Sequence, residues 1–251
     1  MRVIKVGGRV QRDPRLAAAL ARCWRAEPGA LCVVHGGGET ISALQARLGG
    51  APRFVDGRRV TTDADISVLR MALSGVANKE LVSSLSTEGI LAVGVSGEDG
   101  SLICARVLDA RVLGRAGAPA EVDDALLRLL LTAGYLPVVS PVSRDSDAGG
   151  ALNVNADDAA AAIAVALDAQ ELLLISDVPG VIVDDIAVRA MDHDDAASAL
   201  ERGIATGGMA TKLRAALDAL ALGVPRVRIG GIDALLDSTL GTTLHATPQP
   251  A

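Results

Sequence analysis

Apolar runs of strand length recur along the chain, at Val3–Val6, Leu31–Val34, Ile90–Val95, Leu136–Val139, Leu172–Ile175 and Val227–Ile229. Each run is continuous rather than alternating, the pattern of a strand buried on both faces. Helical spacing fills the gaps. Asp13-Pro14, a cap followed by proline at the first helical position, opens a helix over Arg15–Arg25. Ala64–Ser86 predicts one long helix, and Asp123–Ala133, Asp157–Leu167 and Met209–Leu222 predict three more. The last stops at Gly223, with Pro225 beyond it. Strands alternating with helices across short links predict an α/β protein with a mainly parallel, doubly wound sheet. Two stretches break the alternation. Phe54–Val60 reads as a hairpin around Asp56-Gly57, and Ser101–Val112 as short strands; both could lie as a lid over one end of the sheet. No solenoid repeat or low-complexity linker divides the chain, so residues up to about 170 and the remainder read as two lobes of one continuous sheet. The tail, His245–Ala251, reads as frayed.

Composition narrows the function classes. Half of the 251 residues are hydrophobic but only 1% are aromatic, so Ala, Val, Leu and Ile must fill the core. A net charge of −6 argues against a nucleic-acid partner, because a surface that tracks phosphates is normally basic. Any anion site must therefore be local, built from a few cations and backbone N–H groups. Cys23, Cys32 and Cys104 have no ligand-like spacing and read as reduced thiols, which predicts a cytoplasmic protein without a disulfide or cysteine metal site. No apolar stretch is long enough to span a bilayer, and the chain enters its first strand without a signal segment.

The positive charge is written as 21 arginines and only three lysines, Lys5, Lys79 and Lys212. Two of the three lie beside glycine turns, in Lys5-Val6-Gly7-Gly8 and Gly207-Gly208-Met209-Ala210-Thr211-Lys212. A compact ammonium next to closely approachable backbone suits phosphate chemistry. His35-Gly36-Gly37-Gly38-Glu39-Thr40 follows a strand and opens a helix, which makes an anion cradle; its spacing is neither a Walker loop nor a dinucleotide fingerprint. His35 reads as ordering that turn rather than transferring protons. Arg59 is either solvated or, in a lid beside the cradle, a two-pronged grip for a carboxylate. Leu152-Asn153-Val154-Asn155-Ala156-Asp157 is either an Asx-turn helix cap or a pair of amides gripping a polar ligand, with Asp157 holding lysines. Asp158 reads as facing solvent. Ser176-Asp177-Val178-Pro179-Gly180-Val181 is a turn at a strand exit, where a nucleotide would lie in a parallel sheet.

In this order the motifs resemble the amino acid kinase family, and within it the branch acting on acylated glutamate. The resemblance runs over nearly the whole chain. It adds Asp-Gly-x-Arg-Val-Thr at 56–61, Ala-Asn-Lys at 77–79, Ser-Gly-Glu-Asp-Gly at 96–100, Gly-Tyr-Leu-Pro-Val-Val at 134–139 and Gly241-Thr242 to the motifs above. It implies an open three-layer αβα sandwich, with residues 1–170 as an acylamino-acid-binding and dimerisation lobe and 171–251 as an ATP-binding lobe. The implied reaction is ATP-dependent phosphorylation, with Mg²⁺, of the side-chain carboxylate of N-acetyl-L-glutamate, a step of arginine biosynthesis. By matched position, Lys5 and Lys212 neutralise the transferring group and Asp157 orients both. Gly7, Gly8, Gly37 and Gly38 donate N–H groups, and Arg59, Asn153 and Asn155 hold the acyl substrate. Asp177, Val178, Pro179, Gly180, Val181, Ile182, Ile204, Ala205, Thr206 and Met209 line the nucleotide. No residue is assigned to a metal. Arginine-inhibited hexamers of the family carry a helix before the first strand; here the strand begins at residue 2, so the expectation is a homodimer without arginine feedback. Its contact face would be the Ala64–Ser86 helix, through Met71, Leu73, Val76 and Leu81. The rival readings are a kinase for N-acetyl- or carrier-bound α-aminoadipate or N-succinylglutamate, or a non-catalytic amino-acid sensor.

Overall fold

The computed structural model describes residues 1–183 and 186–245. Its centre is an 11-stranded sheet: β1 (Arg2–Val6), β2 (Leu31–His35), β3 (Ala92–Gly97), β4 (Ile103–Val107), β5 (Ala116–Val122), β6 (Leu136–Asp145), β7 (Ala151–Val154), β8 (Glu171–Ile175), β9 (Ala190–Met191), β10 (Val227–Gly230) and β11 (Thr242–Leu244). The order is β9-β11-β10-β8-β1-β2-β6-β4-β5-β7, with β3 also paired to β6. β10, β8, β1, β2, β6 and β3 form an all-parallel middle. β1, β2 and β8 are buried almost throughout, which is why their sequences run apolar without alternation. The strands up to residue 170 occupy one end of this sheet and those from 171 the other, meeting where β1 pairs with β8.

Helices cover the sheet in two layers. α6 (Ala156–Ala166) and α8 (Gly207–Ala221) pack on each other and over β1, β8 and β10. Their buried positions are mostly alanine, which lets helix axes approach the strands closely in a chain nearly without aromatics. α1 (Arg15–Ala26) packs on α4 (Asn78–Thr87) and buries Leu16, Leu20, Cys23 and Trp24 along one stripe. α2 (Gly38–Arg47), α3 (Asp63–Leu69), α5 (Ala125–Thr132) and α7 (His193–Glu201) complete the set.

Three expectations change here. The single helix over Ala64–Ser86 is instead α3, a π-helical stretch over Arg70–Ala77, and α4. The wider turn places Leu73 over the glycine cradle, where a Cβ on Gly37 would sit 2.6 Å from Leu73 Cδ2. Of the four apolar residues expected at a dimer face, Leu73 and Leu81 are buried in the protein's own core; Met71 and Val76 are exposed. The segment expected as a second lid is not one: Ile103–Val107 is β4, bonded within the main sheet between β6 and β5. The hairpin does stand apart, as two short strands, Phe54–Val55 and Arg58–Arg59. It turns through Asp56 (φ 48°) and Gly57 (φ 77°), both in the left-handed region that the Asp-Gly pair tolerates. The frayed tail expected at His245–Ala251 lies, beyond His245, outside the described residues.

Candidate active site

β8, β1 and β2 are neighbours, and their carboxyl ends deliver Ser176-Asp177, Lys5 to Gly8 and the His35–Gly38 cradle to one edge of the sheet. α6 enters that edge with Asn155 as its N-cap, its side-chain oxygen accepting from the Asp157 amide at 2.7 Å. Asp157 therefore sits in the first turn, with its carboxylate between two lysines. Lys5 Nζ lies 2.9 Å from Oδ1 and Lys212 Nζ, from α8, 3.6 Å from Oδ2. All three side chains are nearly buried. Burial alone would raise the Asp157 carboxyl, but the charges of Lys5 and Lys212 outweigh it and hold it below the usual carboxylate range. Burial, and then the charge of Lys5, lower Lys212, against the opposing pull of Asp157. The Lys5 ammonium is thus the nearer ion-pair partner of the carboxylate and lines the space beside it.

Two cavities meet at Lys5 and Gly8, which line both. The first, about 220 Å³, is walled by the cradle glycines, Phe54, Arg59, Leu73, Asn153, Asn155 and Asp157. The second, about 380 Å³, is walled by Gly7, Arg9, Asp177, Val178, Met209 and Lys212. The amides of Gly8, Gly37 and Gly38 have no partner among the described residues, and those of Gly37 and Gly38 lie 3.4 and 3.5 Å from where a Gly8 Cβ would be. They form a nest of free donors at the junction. Gly7 does not join it, because its N–H is spent on Ile175 O at 3.0 Å to continue the sheet.

The cradle is held from behind. His35 is fully buried; its Nδ1–H donates to Gly36 O (2.8 Å) and its Nε2 accepts from Asn78 Nδ2 (3.1 Å). Burial pushes the imidazole down to about 4, helped by the charges of Lys5 and Lys79 and opposed by the Gly36 bond. His35 is thus a neutral brace, as its sequence setting implied. Asn78 also donates to Val138 O, and Lys79 donates to Asn78 Oδ1 and Gly94 O. The Ala-Asn-Lys motif is scaffolding for the cradle.

Arg59 is buried, not solvated. It donates to Gln45 Oε1 (2.6 Å), Gly38 O (3.0 Å) and Ser42 Oγ (2.9 Å), and its guanidinium stacks 4.8 Å from the Phe54 ring centroid. Of five N–H donors, two have no partner among the described residues, and the side chain lines the first cavity. Asn153 Nδ2 donates to Thr61 Oγ1 (2.9 Å), which fixes its amide toward the same cavity. On the nucleotide side the expected wall contracts. Asp177, Val178 and Met209 line the second cavity. Val181 is fully buried, its N–H bonded to Thr242 Oγ1 and its carbonyl to Val188 N, so neither side chain nor backbone can reach a ligand. Ala205 is buried with its N–H held by Ala199 O. Pro179 borders a separate cavity, Gly180 packs on Thr242, and Ile182, Ile204 and Thr206 lie outside the second cavity. Asp158 does not face solvent; it pairs with Arg58. Arg9 was missed: it bridges Asp177 (2.8 Å) and Glu39 (3.1 Å) across the mouth of the second cavity, and its place directly after Gly7-Gly8 was the available signal.

Residues 1–231 match the profile of the amino acid kinase family. The chain is 42% identical over 229 residues to the acetylglutamate kinase of Geobacillus kaustophilus, covering 90% of this chain and 88% of that protein. It is 42% identical over 237 residues to the acetylglutamate kinase of Chloroflexus aurantiacus, covering 94% and 93%. A crystal structure from Streptococcus mutans UA159 superposes with a TM-score of 0.89 at 27% identity, covering 98% of each chain.

Proposed function

The chain belongs to the amino acid kinase family, and from that premise we propose that it transfers the γ-phosphoryl group of ATP to the side-chain carboxylate of N-acetyl-L-glutamate, giving N-acetyl-L-glutamyl 5-phosphate and ADP for arginine biosynthesis. One observation carries this reading: two lysines flank a single carboxylate at the junction of two cavities. The acylated amino acid occupies the first cavity, its α-carboxylate on Arg59 and Asn153 and its reactive carboxylate toward Lys5. The nucleotide occupies the second, its γ-phosphate reaching the same lysines. A carboxylate oxygen forms the new bond to phosphorus while the bond to the β-phosphate oxygen breaks. The nucleophile is already ionised at neutral pH, so no general base is needed. The site's task is to hold two anions together and to spread the charge on the transferring group. Lys5, Lys212 and the Gly8, Gly37 and Gly38 amides do this, and Asp157 keeps the ammonium groups apart and aimed.

Among the described residues no group of three His, Cys, Asp or Glu converges to cage a cation. Asp177, which lines the second cavity, is the carboxylate that would help hold Mg²⁺ with the nucleotide, and the ion would supply further charge neutralisation. One methylene separates α-aminoadipate from glutamate, which a pocket discriminates only about 10–200-fold. The test is hydroxamate trapping with ATP and, side by side, N-acetyl-L-glutamate, N-succinylglutamate, N-acetyl-α-aminoadipate and free glutamate. N-acetyl-L-glutamate is expected to give the highest kcat/KM. Faster turnover of another acyl acid moves the substrate, and no hydroxamate with any of them returns the chain to a sensor role.

In this reading the protein is a cytoplasmic homodimer, and no helix among the described residues is long and apolar enough to cross a membrane. Met71 and Val76 are exposed on the Asp63–Thr87 helical layer and mark the contact face. Light scattering is expected to give twice the chain mass, and Met71→Glu to shift it toward one; a monomeric parent would end this part of the proposal.

A further inference from the structure

Asp158 follows Asp157 on α6 and pairs with Arg58, Nη1 to Oδ2 at 2.9 Å, with only 15% of the carboxylate side chain exposed. Arg58 belongs to the hairpin over the first cavity, and the next residue, Arg59, faces that cavity and binds the cradle at Gly38 O. On its other side Gly57 approaches α8: a Cβ there would lie 3.8 Å from Thr211 Oγ1. Thr211 immediately precedes Lys212. Of three consecutive hairpin residues, Arg58 binds α6 and Arg59 binds the cradle, while Gly57 faces α8, each beside a group of the phosphoryl site. Arg58 also lines a separate cavity of about 460 Å³, with Asp158, Thr211, Arg214 and Asp218, so the Arg58 side chain borders both that space and the substrate cavity. Burial raises the Asp158 carboxyl against the pull of Arg58, which marks a carboxylate that depends on its one cation.

We propose that Arg58 and Asp158 form a positioning pair that clamps the hairpin onto α6, so that seating an acylated amino acid beneath it and aligning Asp157 and Lys212 become one event. The proposal rests on the reading of the first cavity as the acyl-substrate site. A lid that closes the site also completes the catalytic geometry, and small misplacements of that geometry are costly in rate. Neither residue contacts the reacting atoms in this account. Both act through their neighbours.

The experiment compares R58Q, D158N, the double variant R58Q/D158N and the conservative R58K. Each neutral single variant is expected to lose about tenfold in kcat/KM for N-acetyl-L-glutamate, through both a higher KM and a lower kcat, with KM for ATP within twofold of the parent. The double variant is expected to be no worse than either single, and R58K to recover most of the loss. Hydrogen exchange in the unliganded protein is expected to quicken about tenfold at the hairpin amides of residues 54–59 in R58Q and D158N and not elsewhere in the sheet. An unchanged KM for the acyl substrate, equal rises in both KM values, single losses that multiply in the double variant, or unaltered hairpin exchange would each overturn the pair. The exchange measurement needs no turnover. If the parent protein gives no hydroxamate, the function fails while the clamp is still judged.

Discussion

Lys212→Arg and Lys5→Arg each leave a folded protein whose turnover falls by about 10²–10³, the usual loss for one preorganised donor at a developing charge. The reason is geometric. Each ammonium reaches the junction of the two cavities on a flexible stem and shares one carboxylate with the other, at 2.9 and 3.6 Å. A guanidinium keeps the charge but presents a planar fork and more bulk in a nearly closed space, so it cannot follow a phosphoryl group as it moves between two oxygens. The fold survives because neither side chain is part of the apolar core, whose continuous cluster runs through β1, β2, β8 and α6 without them. The measurement is kcat by hydroxamate trapping beside a thermal melt. A loss of activity with an unchanged melt is the expected pair of results. Turnover within a few-fold of the parent in both variants would remove the lysines from the mechanism.

The sequence carried the placement of these groups further than their contacts. Six apolar runs gave the parallel middle of the sheet, and in a parallel sheet the strand exits fall on one edge. The meeting of Lys5, the His35–Gly38 cradle and Asp177 thus followed from topology. Asp157 as the link between the lysines came from the motif resemblance; its carboxylate lies 2.9 and 3.6 Å from their ammonium groups. What stayed hidden depends on which partner a backbone or side-chain group finds. Gly7 and Gly8 are identical in sequence, yet only one amide is free, because the hydrogen-bond ladder to Ile175 runs one residue past the strand. Asp158 read as solvated because nothing local reveals that a hairpin one hundred positions away brings Arg58 onto it. The π-turn over Arg70–Ala77 has no distinct periodicity in eight residues. Its cause is tertiary: it brings Leu73 against the cradle and Ser74 Oγ within 2.7 Å of Ser140 Oγ. Val181 and Ala205 looked like ligand-lining residues by position, but the Thr242 hydroxyl and Val188 N–H claim the first and the α7 carbonyl of Ala199 the second.

Asp157→Asn is expected to have the largest combined effect, abolishing most turnover and destabilising the unliganded protein by about 3–5 kcal/mol, the typical cost of leaving a buried charge without its partner. The amide is nearly isosteric and can keep the α6 helix start, since the capping bond runs from the Asp157 amide to Asn155 Oδ1 rather than through the Asp157 side chain. What is lost is the only carboxylate among the described residues that pairs with Lys5 and Lys212, which then repel each other in a closed space. The pH dependence follows. In the parent, Asp157 titrates below its ordinary range, so its stabilisation is present above the unfolded carboxyl value of about 4 and is lost as pH falls through the lower folded value. In the variant that acid-side loss disappears. Lys212, already lowered by burial and by Lys5, loses the carboxylate that was raising it and drops further. The unfolded chain then binds more protons than the folded one over a wider alkaline window, so the variant's stability rises with pH there and its deficit narrows. An anion should narrow it too, because ATP or inorganic phosphate supplies the missing negative charge. Denaturant melts of parent and variant, at neutral and alkaline pH and with and without ATP, measure all three effects. A variant as stable as the parent at neutral pH would mean that the lysines do not need this carboxylate. One equally destabilised at every pH, with no gain from ATP, would mean that the loss lies in packing and not in charge.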